Sequence, residues 1–403
     1  MLKNTVVFIL SNAKYDAAIE STGYTMSKHL AENNKVFYIE YPATFRDYFK
    51  LKNSPQFLKK KELFSKKSNG LLETDNPNLN IVITPLLMSI NFLPEGFLYR
   101  KLLQYNEKLI VKRIKRIIEE QNIENYIFIN SFNIHYPTVG NYLNANLKVY
   151  HCVDPLVSSY DTKHGILSEK LIVNDSDLII CTSKELYRLK KQQHPDTYFI
   201  PNAADFSHSE KARLTETVVY PAIAAIKKPI IGYFGNIEGR TDYNLIQELA
   251  EIHKDKSFVF VGPIEKEFRL KLNSPNNNIH IVDSVPYKSM PCVLKGFDIA
   301  IIPFKQEEIN QTIYPLKLFE YLGSGKPVVA TNFNADLVEQ TENTVPYCSN
   351  TKEFSNAIID ALENDNLEKQ EERLAAARKN TWAIRAKEFS ELLEEYLDKK
   401  MQN

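Results

Sequence analysis

Tyr314-Pro-Leu-Lys-Leu-Phe-Glu-Tyr-Leu-Gly-Ser-Gly-Lys-Pro-Val-Val-Ala330 carries the reading of the whole chain. The apolar run Asp298-Ile-Ala-Ile-Ile-Pro-Phe304 precedes it across a polar loop, and Pro327-Val-Val-Ala-Thr331 closes it. Both runs have the unbroken apolar character of strands buried on two faces. The residues between them predict a short helix with Lys317 and Glu320 one turn apart, so both side chains leave the same face. A cation and a carboxylate at a helix N-terminus, just past the end of a parallel strand, suit a ligand with phosphates at one end and a sugar hydroxyl at the other. A surface i,i+3 ion pair would have the same spacing.

Upstream, Ile230-Ile-Gly-Tyr-Phe-Gly-Asn-Ile-Glu-Gly-Arg-Thr-Asp242 runs from a strand through a loop with Gly235 and Gly239 into a helix starting near Thr241. Glycine lets backbone approach a diphosphate, N–H groups at the helix start can cradle it, and Arg240 can bond its oxygens. A plain turn with Thr241 or Asp242 as N-cap fits equally. The glycines do not make G-x-G-x-x-G, which disfavours a dehydrogenase. Strands at Phe258–Val261 and Ile279–Val282 complete an α/β rhythm that restarts after Lys227-Lys228-Pro229.

The first half shows the same rhythm, with strands expected at Val6–Leu10, Val36–Glu40, Ile81–Leu87, Tyr126–Asn130, Val149–Asp154 and Leu178–Ser183. The fold class is therefore α/β with two Rossmann-like, doubly wound domains. The boundaries expected are 1–208 for the first, 209–228 for a linker, 229–380 for the second, and 381–403 for a helix that could return to the first. Residues 46–67 hold eight Lys/Arg against two acids, interleaved with aromatics, and 99–118 reads as a long basic helix with an apolar stripe. Such segments either lie on an anionic membrane or pack the stripe on the sheet and leave the basic face in water.

At 403 residues, 43% hydrophobic and 25% charged, with zero formal net charge, the chain is long enough for two cores and has no electrostatic case for nucleic acid. The four cysteines form no C-x-x-C pair and fit a reduced, cytoplasmic compartment. The apolar run at Val6–Leu10 is too short for a signal segment, and no run approaches the roughly 18 residues of a membrane span.

Taken together, Gly232-Tyr-Phe-Gly-Asn-Ile237, Phe258-Val-Phe-Val-Gly-Pro263, Val285-Pro-Tyr287, Phe297–Phe304 and Pro315–Thr331 resemble the GT-B glycosyltransferases of family 4 type, in particular the bacterial teichuronic acid and capsule branch. In the first half, Lys35–Pro42, Val149–Asp154, Asp177–Ser183 and Ile200–Asp205 resemble the family's successive strand-end motifs. The resemblance implies two domains facing across a cleft and transfer of a sugar, with retention, from a nucleotide donor, UDP-linked, to a glycan or lipid-linked acceptor. It implies that Glu320 holds the donor ribose and that Lys317 and Arg240 hold the diphosphate. Gly235, Asn236, Tyr314, Pro315 and Leu316 would complete that site. No cofactor and no obligatory metal are implied, and Asp175-Ser-Asp177 reads as a helix end. Where many relatives carry a glutamate eight residues before the ribose-binding one, this chain has Thr312, with Glu307 and Glu308 nearby. For catalysis the first domain offers His135 and Asp154, each after a strand, with His151 nearby. A nucleotide-sugar 2-epimerase and a non-catalytic binding subunit of the same fold are the alternatives. The expected location is cytoplasmic, at the inner face of the plasma membrane if the basic stretches 45–67 and 99–118 contact anionic lipid.

Overall fold

The computed structural model describes residues 1–17, 20–272 and 276–402 and divides the chain into two compact units. The first comprises Met1–Pro201 and the residues from Ala386 onward, and the second Asn202–Arg385.

In the first unit, eight strands form one sheet: β1 (Val6–Ser11), β2 (Lys35–Ile39), β3 (Leu71–Glu73), β4 (Leu79–Val82), β5 (Tyr126–Ser131), β6 (Leu147–Cys152), β7 (Leu178–Cys181) and β8 (Thr197–Phe199). Their order is β3-β4-β2-β1-β5-β6-β7-β8, parallel throughout except for β3 against β4. Val7, Phe8, Ile9 and Leu10 are all buried, as a strand covered on both faces requires. The helix Phe97–Glu120 lays Leu103, Ile110, Ile114 and Ile117 into this core. Arg113 and Arg116 on that helix donate to the carbonyls of Ser65, Lys66 and Ser68, each at 2.8 Å. The stripe within 99–118 is thus a packing surface, and two of its bases hold a loop. Lys101, Lys108, Lys112 and Lys115 remain exposed.

The second unit holds β9 (Ile230–Phe234), β10 (Ser257–Val261), β11 (Ile279–Val282), β12 (Ile299–Ile302), β13 (Val328–Thr331) and β14 (Tyr347–Cys348). All are parallel, in the order β11-β10-β9-β12-β13-β14. The order reverses between β9 and β12, and ligands of open α/β sheets bind at such a switch point.

The boundaries differ from the sequence reading. The first unit's main segment ends at Pro201 rather than 208, and 209–228 belongs to the second unit rather than to a linker. That stretch makes helical turns at Glu210–Arg213 and Pro221–Ala224, buries Ile223, and bonds Tyr220 N–H to the Cys292 carbonyl at 3.0 Å. Its polar composition concealed a packed segment. The last helix, Trp382–Gln402, enters the first unit from Ala386, where Tyr396 bonds Tyr198 at 2.9 Å and Asp196 at 2.6 Å.

Candidate functional site

The site in the second unit begins at the split between β9 and β12, which share only two register pairs, Ile231↔Ile299 and Gly232↔Ala300. Beyond them the buried Tyr321 hydroxyl accepts from Phe234 N–H at 2.7 Å and donates to its carbonyl at 2.9 Å. One side chain thus satisfies both backbone groups at the end of β9 and fixes the helix Leu316–Gly323 against it. The loop after β9 is laced to its neighbours: Ile237 N–H bonds the Pro263 carbonyl, Asp242 N–H that of Pro303, and Lys305 N–H that of Arg240.

Two helices start near this split, and they differ. Tyr243–Ile252 is capped by Asp242, whose carboxylate accepts from Leu245 N–H at 3.0 Å. A start capped by a carboxylate is poorly suited to cradle a diphosphate, which agrees with the second of the two readings of this loop, a turn with Asp242 as N-cap. Leu316–Gly323 follows Pro315 with no side-chain cap. The first-turn N–H groups at Leu316 and Lys317, together with the positive end of the helix dipole, form the anion-attracting start. Tyr314 and Pro315 are buried and Leu316 is half-buried.

Lys317 does not pair with Glu320. Its ammonium bonds the Tyr233 hydroxyl, lies 4.0 Å from the Tyr233 ring centroid and 5.4 Å from that of Phe304. Burial first, then the Arg240 charge, push its pKa down to about 7, with Glu320 and Glu238 opposing. Gly235 has φ +138°, and a Cβ there would stand 2.6 Å from Lys317 Nζ. Gly262, at φ +145°, packs so closely that a Cβ would meet the Gly235 carbonyl oxygen at 2.1 Å. The glycine loop and the lysine are therefore built against each other. Arg240 is held by Glu238 at 2.5 Å, and Asn236 donates to the same carboxylate at 2.8 Å. Glu238 thus gathers the Arg240 and Asn236 side chains at one edge of the loop.

Glu320 is buried, and its Oε1 accepts from the Tyr287 hydroxyl at 2.8 Å. Burial raises its pKa, while that hydrogen bond and Lys317 pull it back. Its Oε2 has no hydrogen-bond partner among the described residues. Tyr287 is itself placed by His208, which bonds the Tyr287 carbonyl at 3.0 Å with ring centroids 4.8 Å apart. Thr312 is turned inward, donating to the Ile309 carbonyl at 2.7 Å, and Glu307 and Glu308 are exposed.

In the first unit, His135 follows β5 on a turn braced by Asn133, whose side chain reaches the Ser11 carbonyl at 2.7 Å. Its ring lies 4.0 Å from that of Tyr160 and 5.1 Å from that of Tyr41, centroid to centroid. Burial pushes its pKa down to about 4, so it is neutral near pH 7. Asp154 lies exposed just beyond β6. His151 is a core residue, 3.3 Å from Ser131 Oγ and packed edge-on to Phe389, with its pKa pushed down to about 3 by burial. Asp175 bonds Lys148 Nζ at 2.9 Å and Asp177 bonds Lys148 N–H at 2.8 Å, so this D-x-D pins a helix end and a strand edge. Among the described residues no group of three or more His, Cys, Asp or Glu could hold a metal ion.

Residues 228–364, which contain the whole split and the helix Leu316–Gly323, match the family "Glycosyl transferases group 1". That match lies wholly within the second unit. TuaH of Bacillus subtilis (strain 168), named as a teichuronic acid biosynthesis glycosyltransferase, is 26% identical over 216 residues. That alignment covers 49% of this chain and 53% of TuaH, about half the length of each. Among solved structures, a UDP-forming α,α-trehalose-phosphate synthase from Burkholderia vietnamiensis superposes with a TM-score of 0.69 at 8% identity, over 96% of both chains. A sucrose-phosphate synthase from Thermosynechococcus elongatus gives 0.63 at 14% identity, over 98% of this chain and 99% of the other. The fold is GT-B.

Within this GT-B scaffold, Tyr233, Tyr287, Phe304 and Tyr321 are the residues that sequence reasoning left without a role. Tyr287 stood in the Val285-Pro-Tyr287 signature, but nothing in that triplet shows that its hydroxyl reaches a residue 33 positions away.

Proposed function

We propose that the chain is a glycosyltransferase that moves a sugar from a UDP-sugar to a glycan or lipid-linked acceptor in cell-surface polysaccharide synthesis. One observation carries the reading: the helix at the switch point holds a buried lysine over a glycine loop and, one turn on, a buried carboxylate with an oxygen still available. That pair spans a nucleoside diphosphate, with Lys317 and Arg240 on phosphate and Glu320 on ribose. As the glycosidic bond breaks, charge develops on the diphosphate. Lys317, Arg240 and the N–H groups at Leu316 and Lys317 would stabilise it in a partly desolvated site, without a resident metal. The UDP-forming activity named for a structural neighbour and the teichuronic acid role named for TuaH support the donor and the pathway class. Retention of configuration follows from the family 4 resemblance. On the acceptor side, neutral His135 would orient an acceptor hydroxyl, with Asp154 at the neighbouring strand end. The protein would work in the cytoplasm, peripheral on the inner face of the plasma membrane; among the described residues no helix is long and apolar enough to cross a membrane.

The inward-turned Thr312 favours a second reading, a non-catalytic subunit that binds a nucleotide sugar without transferring it. A thermal-shift and product screen over UDP-, GDP- and ADP-sugars, with Glu320→Ala alongside, separates the two. Stabilisation by a UDP-sugar with product formed supports the transferase; stabilisation without product supports the subunit; no stabilisation by any nucleotide sugar removes both.

A further inference from the structure

The first unit exposes six large apolar side chains on two segments: Phe92 (76%), Phe97 and Leu98 on one, Val157, Ile166 and Leu167 on the other. Their supports are joined by polar links at the surface. His164 Nδ1 lies 2.7 Å from Glu95, Arg100 bonds Glu95 with two nitrogens at 2.7 and 2.8 Å, and Lys163 reaches the carbonyls of Asn91 and Phe92. Below them Tyr99 stacks on His164 at 3.8 Å and bonds Tyr160 at 2.8 Å, and Tyr160 packs on His135. A surface braced in this way holds its apolar side chains outward at the cost of exposing them, which a soluble surface does not require. Glu95, Arg100 and Lys163 at its base are bonded within the unit, which lowers the cost of bringing them toward a low-dielectric layer.

We propose that this surface inserts into the interface of an anionic membrane and thereby holds the His135 loop near the bilayer. This rests on, and relocates, the membrane contact proposed above: the stripe of 99–118 is buried, and the inserting residues lie at and before the start of that helix. Charge decides the occupant. Lys101, Lys108, Lys112 and Lys115 lie exposed along the same helix, and Lys101 Nζ sits 4.7 Å from the Phe97 ring centroid. The basic segment 45–61 starts from the same support, since Phe45 N–H bonds the Leu87 carbonyl and Met88 bonds Asn106 of the helix. A second copy meeting this face two-fold would bring the lysines together, whereas anionic lipid neutralises them.

The test is sedimentation of the full chain with vesicles of phosphatidylcholine alone and with about 30% phosphatidylglycerol, for wild type and for Phe92→Ser/Phe97→Ser. The expected result is wild-type binding to the anionic vesicles, weakened at least about tenfold in the double variant. Equal binding by the variant, or equal binding to both lipids, overturns the proposal. So does a dimer that the variant converts to monomer in sedimentation velocity without lipid, which would make the surface a self-association face. The UDP thermal shift of the same variant should be unchanged. Loss of vesicle binding with that shift intact and with the first unit's own urea transition unchanged cannot come from misfolding, and absence of the shift in wild type would be a failure of the donor reading alone.

Discussion

The Tyr287 hydroxyl donates to Glu320 Oε1 at 2.8 Å, joining the loop that follows β11 to the helix that follows β12. It holds a buried carboxylate by one oxygen, and in the proposed function Oε2 would take the ribose hydroxyl pair. Tyr287→Phe should therefore weaken UDP binding about 2- to 10-fold, the range for one ordinary hydrogen bond. Binding of 2′,3′-dideoxy-UDP, which lacks the hydroxyls that Glu320 would hold, should change little. Equal losses for both nucleotides in calorimetric titration would show that Tyr287 shapes the loop and not the carboxylate.

Lys317 should make binding proton-linked. With its pKa pushed down to about 7 by burial and by the Arg240 charge, the Lys317 amine is mostly uncharged at about pH 8, and a bound diphosphate would restore its charge. Titrations of UDP in buffers of different ionisation enthalpy should show uptake of nearly one proton at about pH 8 and almost none at about pH 6. Lys317→Met should abolish the uptake. The same shift affects stability without ligand. Between pH 7 and the ordinary lysine value of about 10.5, the unfolded chain binds more protons at this position than the folded one, so the second unit gains stability as pH rises. An uptake that survives in Lys317→Met would assign it to another group.

Gly262→Ala should damage the donor site without touching a ligand. Its φ of +145° is strained for alanine, and the new Cβ would stand 2.1 Å from the Gly235 carbonyl oxygen. A loss of about 2 kcal/mol or more is expected for the second unit's transition in urea, with weaker UDP binding. A near-wild-type midpoint would mean that the two loops separate easily.

In the first unit, Lys60 Nζ is buried between Glu40, at 2.8 and 2.9 Å, and Asp16, at 3.1 Å. Lys60→Met should destabilise this unit by about 3–5 kcal/mol by leaving Glu40 uncompensated. Lys60→Met with Glu40→Gln should recover most of that loss in thermal melts. Failure of the double variant to recover would place the cost in the contact with the Tyr15 ring, whose centroid lies 4.6 Å from Lys60 Nζ.

Long, central features were legible in the sequence and short or three-dimensional ones were not. The unbroken apolar runs at Val6–Leu10 and Ile299–Ile302 signal buried parallel strands because nothing else demands that pattern. Edge strands such as Leu71–Glu73 and Tyr347–Cys348 hold two or three residues, too few for any periodicity. Lys317 and Glu320 were found because helical spacing puts them on one face. Their actual partners, Tyr233 and Tyr287, lie 84 and 33 residues away and are set by sheet order. The choice between the two helix starts was also hidden, since Asp242 and Pro315 both suit a first turn and only the structure shows that one is closed by a carboxylate. The stretch 209–228 looked like a linker because its polar residues outnumber anchors such as Ile223.

The helix Leu316–Gly323 is the proposed seat of a nucleoside diphosphate, and the most direct measurement is calorimetric titration of UDP into wild type, Lys317→Met and Glu320→Ala. The expected result is saturable one-to-one binding by wild type, with each variant at least about tenfold weaker, as loss of a charge-assisted contact requires. UDP that binds both variants as tightly as wild type, or does not bind wild type at all, would contradict it.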